Sequence, residues 1–279
     1  MTERGTAPDR GVVEVAGPEA RALLQRLVTS DVEALVPGEA RYAALLSPQG
    51  KILVDFLIVS APGPDAPERF LLDCPLALAA DLAKRLTLYR LRAKLTVTDR
   101  SATLTAVPLG AVPPAGKMTT PGVLVYGDPR SPALGLRAIG PIDAVTALAA
   151  DAGVARERRI AAAVPEGGID FAYGDIFPHE ANLDRLGGVD FTKGCYVGQE
   201  VVSRMQHRST TRKRVTLFRF DTPPTPGAEV RSGDLPLGTV GSLGTGQGLA
   251  LLRLDRVADA HAAGEPLLAG DTPITVSLN

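Results

Sequence analysis

Chemically reactive groups are concentrated in one octet of this sequence, residues 193–200, which reads Lys-Gly-Cys-Tyr-Val-Gly-Gln-Glu. The amine of Lys193 stands two positions before the thiol of Cys195. A neighbouring ammonium lowers the pKa of a thiol and favours the thiolate, which is the nucleophilic and metal-binding form. Glycine permits backbone conformations that other residues avoid. The octet therefore indicates a loop that presents a reactive thiol, although a tight turn around a buried, inert cysteine is the alternative.

The residues after Gly198 continue as Gln-Glu-Val-Val-Ser-Arg-Met, a pattern that predicts the first turns of a short helix. Glu200 would then lie near the positive N-terminal end of the helix dipole, where a carboxylate is favourable. The octet is thus expected to bring its thiol and its ammonium to the start of a helix.

The octet, with Arg204 after it, resembles the signature of the YgfZ group of folate-binding proteins, relatives of the glycine-cleavage T-protein that support iron–sulfur cluster proteins. This resemblance implies that tetrahydrofolate or a derivative binds in a central cavity, with Cys195 at the cavity or its rim and Lys193 close by. The thiolate would act on the folate as a nucleophile or redox group, or would bind iron transiently. The residues of the octet and its helix that are expected to contact the folate are Tyr196, Gly198, Gln199, Glu200 and Arg204.

The resemblance also implies an α+β fold, in which two interleaved α/β folate-binding modules and a small C-terminal β-barrel are arranged as a ring. The first module would comprise residues 1–50 with 140–210 and would carry the octet. Residues 51–139 would form a second, ferredoxin-like α/β module, and residues 211–279 would form the barrel. The short strands and Gly/Pro turns towards the C-terminus agree with a barrel, and the earlier mixture of strands and helices agrees with α/β modules.

Length and composition limit the kinds of function that this protein can have. The 279 residues suffice for about two domains, and contents of 45% hydrophobic and 22% charged residues are ordinary for a globular protein. The net charge of −1 provides no overall attraction for nucleic acid. Cys74 and Cys195 are the only cysteines, too few for a disulfide framework or for the four thiolates of an iron–sulfur cluster. The chain would therefore serve cluster chemistry as a helper or share ligands with a partner, and no metal site of its own is predicted.

The N-terminal sequence gives an expectation about location. It lacks the apolar core of a signal peptide and the composition of a transit peptide. No apolar stretch approaches the roughly 20 residues that cross a bilayer. We therefore expect a soluble, bacterial-type cytoplasmic protein that does not associate with membranes.

Two segments before the octet carry polar residues that also recur in the family. Thr29 and Asp31 end the first predicted helix, where a polar helix terminus explains them equally well. Residues 47–50, Ser-Pro-Gln-Gly, suit a type I turn, and the return strand 52–59 is apolar on both faces except for Asp55. A carboxylate in such a strand either lies on a solvated edge or reaches a ligand. Because the resemblance includes a Gly-x-x-x-x-Asp hairpin, Asp55 is a candidate folate contact.

Residues 89–94, Tyr-Arg-Leu-Arg-Ala-Lys, match a Tyr-x-x-Arg-x-Lys run that precedes a strand in the family. Their charged and hydrogen-bonding groups suit an anion such as the glutamate tail of a folate, which makes Arg92 a candidate cofactor contact. Cations at the solvated C-terminal end of a helix are the alternative, since the helix dipole favours them there.

Acidic and amide side chains gather just upstream of the octet. A carboxylate or amide suits the two parallel donors of a pterin edge, because charge-assisted bidentate hydrogen bonds are strong. By the family resemblance Glu180 and Asn182 are the candidates, followed by Glu166 and Asp170. His179 stands where relatives more often have glutamine, and its lack of spaced partners argues against a metal site.

A basic run follows the octet, with five cations and no acidic residue between Val201 and Phe218. Such a run is usually a solvated face, but it could bind a polyglutamate tail or the phosphates of tRNA. Interleaved aromatic side chains that would stack on bases are missing from it, so folate is favoured over nucleic acid. An effect on tRNA modification would follow if the run binds RNA.

The sequence therefore predicts a tetrahydrofolate-binding accessory protein of iron–sulfur cluster assembly or repair, with assembly proteins or client enzymes as partners. The alternative is a folate-dependent aminomethyltransferase of the T-protein type, which needs a carboxylate to orient the folate and steer proton transfer. The catalytic aspartate of T-proteins follows a strand and an Asn-Ala-Gly turn. The matching region here is Asp73-Cys74-Pro75, and Asp81 lies within a predicted helix. The T-protein also has no counterpart of the octet, and whether this chain catalyses a reaction is left open.

Overall fold

The computed structural model describes residues 9–63, 68–109, 121–208 and 211–278. The chain divides into two compact units, and the division passes through the octet, between Val197 and Gly198. Unit 1 comprises Met1–Leu46, Val54–Asp151 and Gly187–Val197, and unit 2 comprises Ser47–Leu53, Ala152–Leu186 and Gly198–Asn279. The three-part division that the sequence predicts has other boundaries and stays a prediction.

Strands and helices are mixed along the chain, as expected of an α+β fold. The strands are β1 (Arg10–Ala16), β2 (Ala40–Leu46), β3 (Ile52–Ser60), β4 (Arg69–Pro75), β5 (Thr96–Asp99), β6 (Leu104–Pro108), β7 (Leu124–Gly127), β8 (Leu136–Pro141), β9 (Lys213–Arg219), β10 (Glu229–Ser232), β11 (Leu235–Leu243), β12 (Gln247–Arg253), β13 (Leu267–Ala269) and β14 (Thr272–Val276). The helices are α1 (Ala20–Leu27), α2 (Leu76–Arg90), α3 (Ile142–Thr146), α4 (Ala152–Ala161), α5 (Gln199–Arg208) and α6 (Leu254–Ala263). Within the described ranges, no helix is long and apolar enough to cross a bilayer.

The main sheet of unit 1 has the strand order β2-β3-β4-β1-β5, and β1 pairs antiparallel with both β4 and β5. Helix α1 packs into the same apolar core through Ala20, Leu23, Leu24 and Leu27, which are all buried. This is the i, i+3, i+4, i+7 spacing of a one-sided helix, and it confirms the first helix predicted from the sequence. Each buried leucine stabilises the fold by roughly 1.5–3 kcal/mol.

A second, three-stranded sheet of unit 1 has the order β6-β8-β7. Its buried core includes Val107 and Ala138 from the strands and Val145 from α3. The sequence predicts a helix from 142 to 150, but α3 ends at Thr146. The second sheet therefore has only a short helical cover from this segment.

Unit 2 contains a closed barrel with the strand order β10-β11-β12-β9-β14-β13, which is completed by pairing between β10 and β13. Closure leaves no sheet edge open to other chains, and the small barrel predicted from the sequence is confirmed. Helix α6 is absent from that prediction. It places Val257 and Ala260 in the barrel core and ends at Gly264, whose positive φ of 69° suits a helix terminus.

A buried polar cluster joins the two sheets of unit 1. The carboxylate of Asp73 in β4 accepts hydrogen bonds from Arg10 Nε at 2.6 Å, Arg137 Nη2 at 2.8 Å and Tyr126 Oη at 3.1 Å. Burial by itself raises the pKa of Asp73, but the charges of Arg10 and Arg137 outweigh burial and lower the pKa to about 2. Asp73 is therefore ionised inside the protein and is matched by opposite charges.

Asp73 makes the stability of the protein sensitive to acid. Its folded-state pKa of about 2 lies below the ordinary value of 3.8, so the unfolded chain binds this proton more readily. The stabilising contribution is complete above about pH 4 and is lost as the pH falls towards about 2. At about 1.4 kcal/mol per pKa unit, it amounts to roughly 2 kcal/mol. Urea unfolding over this pH range measures it, and Asp73→Asn should remove this part of the acid sensitivity; equal pH dependence of the two proteins would contradict the prediction.

Candidate functional site

The segment that carries the thiol is held on unit 1 by Thr29, which is fully buried just after α1. Thr29 Oγ1 donates to the carbonyl of Gly188 at 2.5 Å and accepts from the amide of Ala44 at 2.9 Å. The carbonyl of Thr29 accepts from the amide of Asp190 at 2.9 Å. These bonds fix the backbone of the segment against the end of α1 before it reaches the octet.

Asp190 then sets the turn into the octet. Its Oδ1 accepts hydrogen bonds from the amide and hydroxyl of Thr192, both at 2.7 Å, and from the amide of Lys193 at 3.0 Å. An aspartate that bonds to the backbone two and three residues on is a common device for tight turns. Partial burial opposes ionisation, but the hydrogen bonds from Thr192 and Lys193 prevail and lower the pKa of Asp190. The turn is thus closed by an ionised carboxylate.

The ammonium of Lys193 lies at the C-terminal end of α1. Its Nζ donates to the carbonyls of Gln25 at 2.8 Å, Val28 at 2.7 Å and Ser30 at 2.8 Å. Burial lowers the pKa of Lys193 to about 8, although Asp31 and Asp190 oppose this shift. At pH 7 the amine is therefore still mostly protonated and keeps three N–H donors.

Tyr196 is the residue that follows Cys195. Its side chain is buried, and its ring centroid lies 5.3 Å from Lys193 Nζ, a distance at which a cation is attracted to an aromatic ring. Burial raises the pKa of Tyr196 to about 12, so the phenol stays protonated at neutral pH.

Cys195 lies between these two fixed residues and is exposed, with no disulfide partner. The alternative of a buried, inert cysteine therefore does not apply, and the position of the sulfur at a folate cavity or its rim stays a prediction. Cys74 is the opposite case: it is fully buried, and burial raises the pKa of its thiol to about 12. Only the Cys195 sulfur is placed to meet a reagent, a metal ion or a partner.

The last three octet residues, Gly198, Gln199 and Glu200, belong to unit 2 and lead into α5. Gly198 has a positive φ of 83°, which suits the turn before the helix. Gln199 is the first residue of α5. Glu200 Oε1 pairs with Arg204 Nη2 at 2.6 Å, but both side chains are exposed. Such a surface pair is worth about 0.3–0.5 kcal/mol, and folate contacts for these residues stay predictions.

The candidates for the pterin edge are engaged in the packing of unit 2. Asn182 donates to the carbonyls of Ala163 and Val215, and its oxygen accepts from Arg214 at 3.1 Å. Glu180 Oε2 accepts from the amide of Phe177 at 2.8 Å. These bonds account for both polar side chains without a ligand, so their role in folate binding stays a prediction.

The two reserve candidates have structural contacts of their own in unit 2. Asp170 is buried and accepts from Arg159, from the amide of Glu166 and from the amide of Ser242. Glu166 forms an ion pair with Arg159 at 3.0 Å. Asp170 therefore joins α4 to the barrel strand β11, and Glu166 pairs with Arg159 of α4.

The two candidates in unit 1 lie in different surroundings. Asp55 is buried in β3 and accepts from Tyr42 Oη at 2.8 Å. The solvated-edge alternative for Asp55 therefore does not apply. Arg92 is exposed just beyond the end of α2, as the solvated-helix-end alternative expects. Neither position tests whether a folate binds there.

One residue of the site, Asp190, is not singled out by the sequence analysis. Asp190 could have been found from its spacing, because an aspartate two positions before a threonine often caps a turn. Thr29 was noted, but a polar helix end explained it equally well. Among the described residues, no group of three or more His, Cys, Asp or Glu is arranged to hold a metal. An iron ion bound by Cys195 would therefore need its other ligands from outside the described residues.

Residues 9–109 match the family model of the GCVT N-terminal domain, and residues 212–279 match that of the CAF17 C-terminal beta-barrel domain. The fold is similar to the crystal structure of glycine cleavage system aminomethyltransferase T from Bartonella henselae, with a TM-score of 0.72 over 98% of this chain and 83% of that chain. At 16% identity this likeness shows the fold alone. The predicted T-protein-like α+β fold with a C-terminal barrel is confirmed.

Three of the curated relatives carry the name of the iron–sulfur cluster assembly factor IBA57. The mitochondrial iron–sulfur cluster assembly factor IBA57 of Homo sapiens is 33% identical over 275 residues, which cover 89% of this chain and 76% of that protein. The mouse protein, Mus musculus, is 30% identical with the same coverage. The Mycosarcoma maydis homologue is 36% identical over 238 residues, but the chain spans only 57% of its length.

These relatives correct two expectations. They are mitochondrial by name, so the expected cytoplasmic location is wrong. They are also IBA57 factors, whereas the octet suggested the bacterial YgfZ proteins. The wider resemblance, to T-protein relatives that support iron–sulfur proteins, agrees with the comparison.

Proposed function

This chain belongs to the family of the iron–sulfur cluster assembly factor IBA57, and on that premise we propose that it is an accessory factor in iron–sulfur cluster assembly or repair. One observation carries the proposal: the octet holds a single exposed thiol between two fixed neighbours. A thiolate is the preferred protein ligand of iron in such clusters, which normally need four of them. One chain supplies one exposed thiol, so the other ligands would come from an assembly protein or a client enzyme.

Tetrahydrofolate, or a derivative of it, is the proposed small-molecule ligand. The match of residues 9–109 to the GCVT N-terminal domain and the likeness to an aminomethyltransferase support this proposal. The folate would bind near Cys195, whose sulfur would act on it as a nucleophile or redox group. Asp55, Arg92, Glu180 and Asn182 remain the proposed contacts elsewhere in the chain.

Calorimetric titration of tetrahydrofolate tests this ligand. We expect saturable binding to the wild type and affinity lowered by up to about tenfold in Cys195→Ala and in Lys193→Ala, since one lost hydrogen bond costs roughly 0.5–1.5 kcal/mol and about 1.4 kcal/mol is tenfold in affinity. His261→Ala, an exposed position on α6, serves as the matched control and should bind like the wild type. If the wild type takes up no folate, the ligand is removed from the proposal, while the role of the thiol is untouched.

The aminomethyltransferase alternative finds little support in the carboxylates available to it. Asp73 is buried and saturated by Arg10 and Arg137, so it is not free to steer a proton. Asp81 is exposed on α2 and pairs with Arg85 at 2.5 Å. A general acid or base must reach the reacting group at a suitable pKa, and neither carboxylate offers this in unit 1.

Contact with tRNA also stays a prediction without added support. This prediction depends on the basic run that follows the octet. In α5, however, the charge of Arg204 is paired with Glu200. This pairing leaves less free positive charge for phosphates, whose neutralisation dominates nucleic-acid affinity.

A further inference from the structure

The sequence suggests that Lys193 activates the thiol of Cys195, but the contacts of its ammonium point elsewhere. A lysine ammonium has three N–H donors and no acceptor. In unit 1 all three are directed at backbone carbonyls, those of Gln25, Val28 and Ser30, at 2.7–2.8 Å. No donor is left over for a hydrogen bond to a thiolate two residues away.

The three carbonyls explain why the ammonium lies where it does. The last four carbonyls of a helix lack partners within that helix. In α1 the carbonyl of Gln25 would normally accept from the amide of Thr29, but that amide donates to Ala44 instead. Lys193 supplies the missing donor from a distant part of the chain. A cation at the C-terminal end of a helix is also favoured by the helix dipole.

We infer that Lys193 is a positioning residue, which fixes the octet to the end of α1 so that Cys195 projects from a rigid backbone. Cys195 is one residue from the buried Tyr196 and two from Lys193, and consecutive Cα atoms are about 3.8 Å apart. The thiol therefore has little freedom to move between its two fixed neighbours. A group held in place before binding loses less conformational entropy when a partner engages it.

This inference deepens the proposed function, because it says how the working thiol is presented, but its test needs neither iron nor folate. A maleimide nitroxide label will react with Cys195, the exposed cysteine, and not with the buried Cys74. The electron paramagnetic resonance line shape then reports the mobility of the octet. Separate, unlabelled samples are treated with iodoacetamide at pH 7, which displaces iodide from the reagent at the Cys195 sulfur, to measure the alkylation rate of the thiol.

We expect Lys193→Met to increase label mobility several-fold and to leave the alkylation rate of the thiol unchanged or higher. Lys193→Arg retains a cation with several N–H donors and should restore part of the restriction. Lys51→Met is the matched control: Lys51 in unit 2 also donates to a carbonyl, that of Asp175, and lies 3.5 Å from the ring of Phe177. It should not alter label mobility.

One combination of results would overturn the inference. If Lys193→Met leaves the label as restricted as in the wild type but slows alkylation, the ammonium acts on the thiol itself and not on the backbone. Thermal melts of each variant separate loop mobility from loss of the fold. If Lys193→Met does not fold, Lys193→Gln, which keeps two N–H donors, is measured in its place and must show the same rise in mobility.

Discussion

Replacing Asp73 by asparagine is expected to lower the free energy of unfolding by about 3–5 kcal/mol, since removal of one partner from a buried ion pair leaves the other charge uncompensated. Here two guanidinium groups, those of Arg10 and Arg137, would lose their carboxylate. Asparagine has nearly the same size, so the effect reports charge and hydrogen bonding and not a cavity. Urea unfolding followed by circular dichroism measures the change.

The matched control is Asp81→Asn. Asp81 also pairs with an arginine, Arg85, but on the exposed face of α2. An exposed pair at this helical spacing contributes about 0.3–0.5 kcal/mol, so the control should unfold almost like the wild type. Equal losses at Asp73 and Asp81 would mean that the cluster is not held together by its buried charges.

The parts of the fold that could be predicted from the sequence are those set by short-range patterns. The apolar spacing along α1 and the alternation of strands with Gly/Pro turns in the barrel both lie within short windows, where side-chain periodicity decides the element. Helix α6, which buries Val257 and Ala260, is absent from the prediction because the regular spacing of short strands predicts a barrel without helices.

The contacts that define the site could not be predicted, because they join distant parts of the chain. Lys193 donates to carbonyls of residues that precede it by 163 to 168 positions. Every residue has a backbone carbonyl, so an acceptor of this kind leaves no mark in the sequence. The thiol two residues away was the only visible partner for the ammonium, and the prediction of thiol activation followed from that.

The same limit applies to buried polar residues that look like ligand contacts. Asn182 has a positive φ of 61°, a conformation that asparagine tolerates better than most residues. Its amide is also bonded to Val215 and Arg214. From the sequence, an amide of this kind is equally consistent with binding a pterin. Only the three-dimensional contacts show that Asn182 is bonded to other parts of the fold.

Cys195→Ser is expected to abolish the proposed function while leaving the fold intact. Serine has the size of cysteine, but its hydroxyl is neither a thiolate at neutral pH nor a soft ligand for iron. Loss of an outer partner of a metal ligand costs roughly 10- to 100-fold in affinity or activity, so loss of the ligand itself should cost at least about as much. The measurement is the activity of an iron–sulfur enzyme in cells that lack their own family member, relative to a cluster-free enzyme of the same extract.

Cys74→Ala provides the control that isolates the exposed sulfur. Cys74 is buried and holds its proton, so its removal should lower stability by only about 1 kcal/mol and leave complementation near that of the wild type. Failure of the wild-type chain to restore enzyme activity would contradict the cluster-assembly role as a whole. Full restoration by Cys195→Ser would contradict only the role proposed for the thiol. The exposed sulfur between Lys193 and Tyr196 would then be dispensable for a function that the chain still performs.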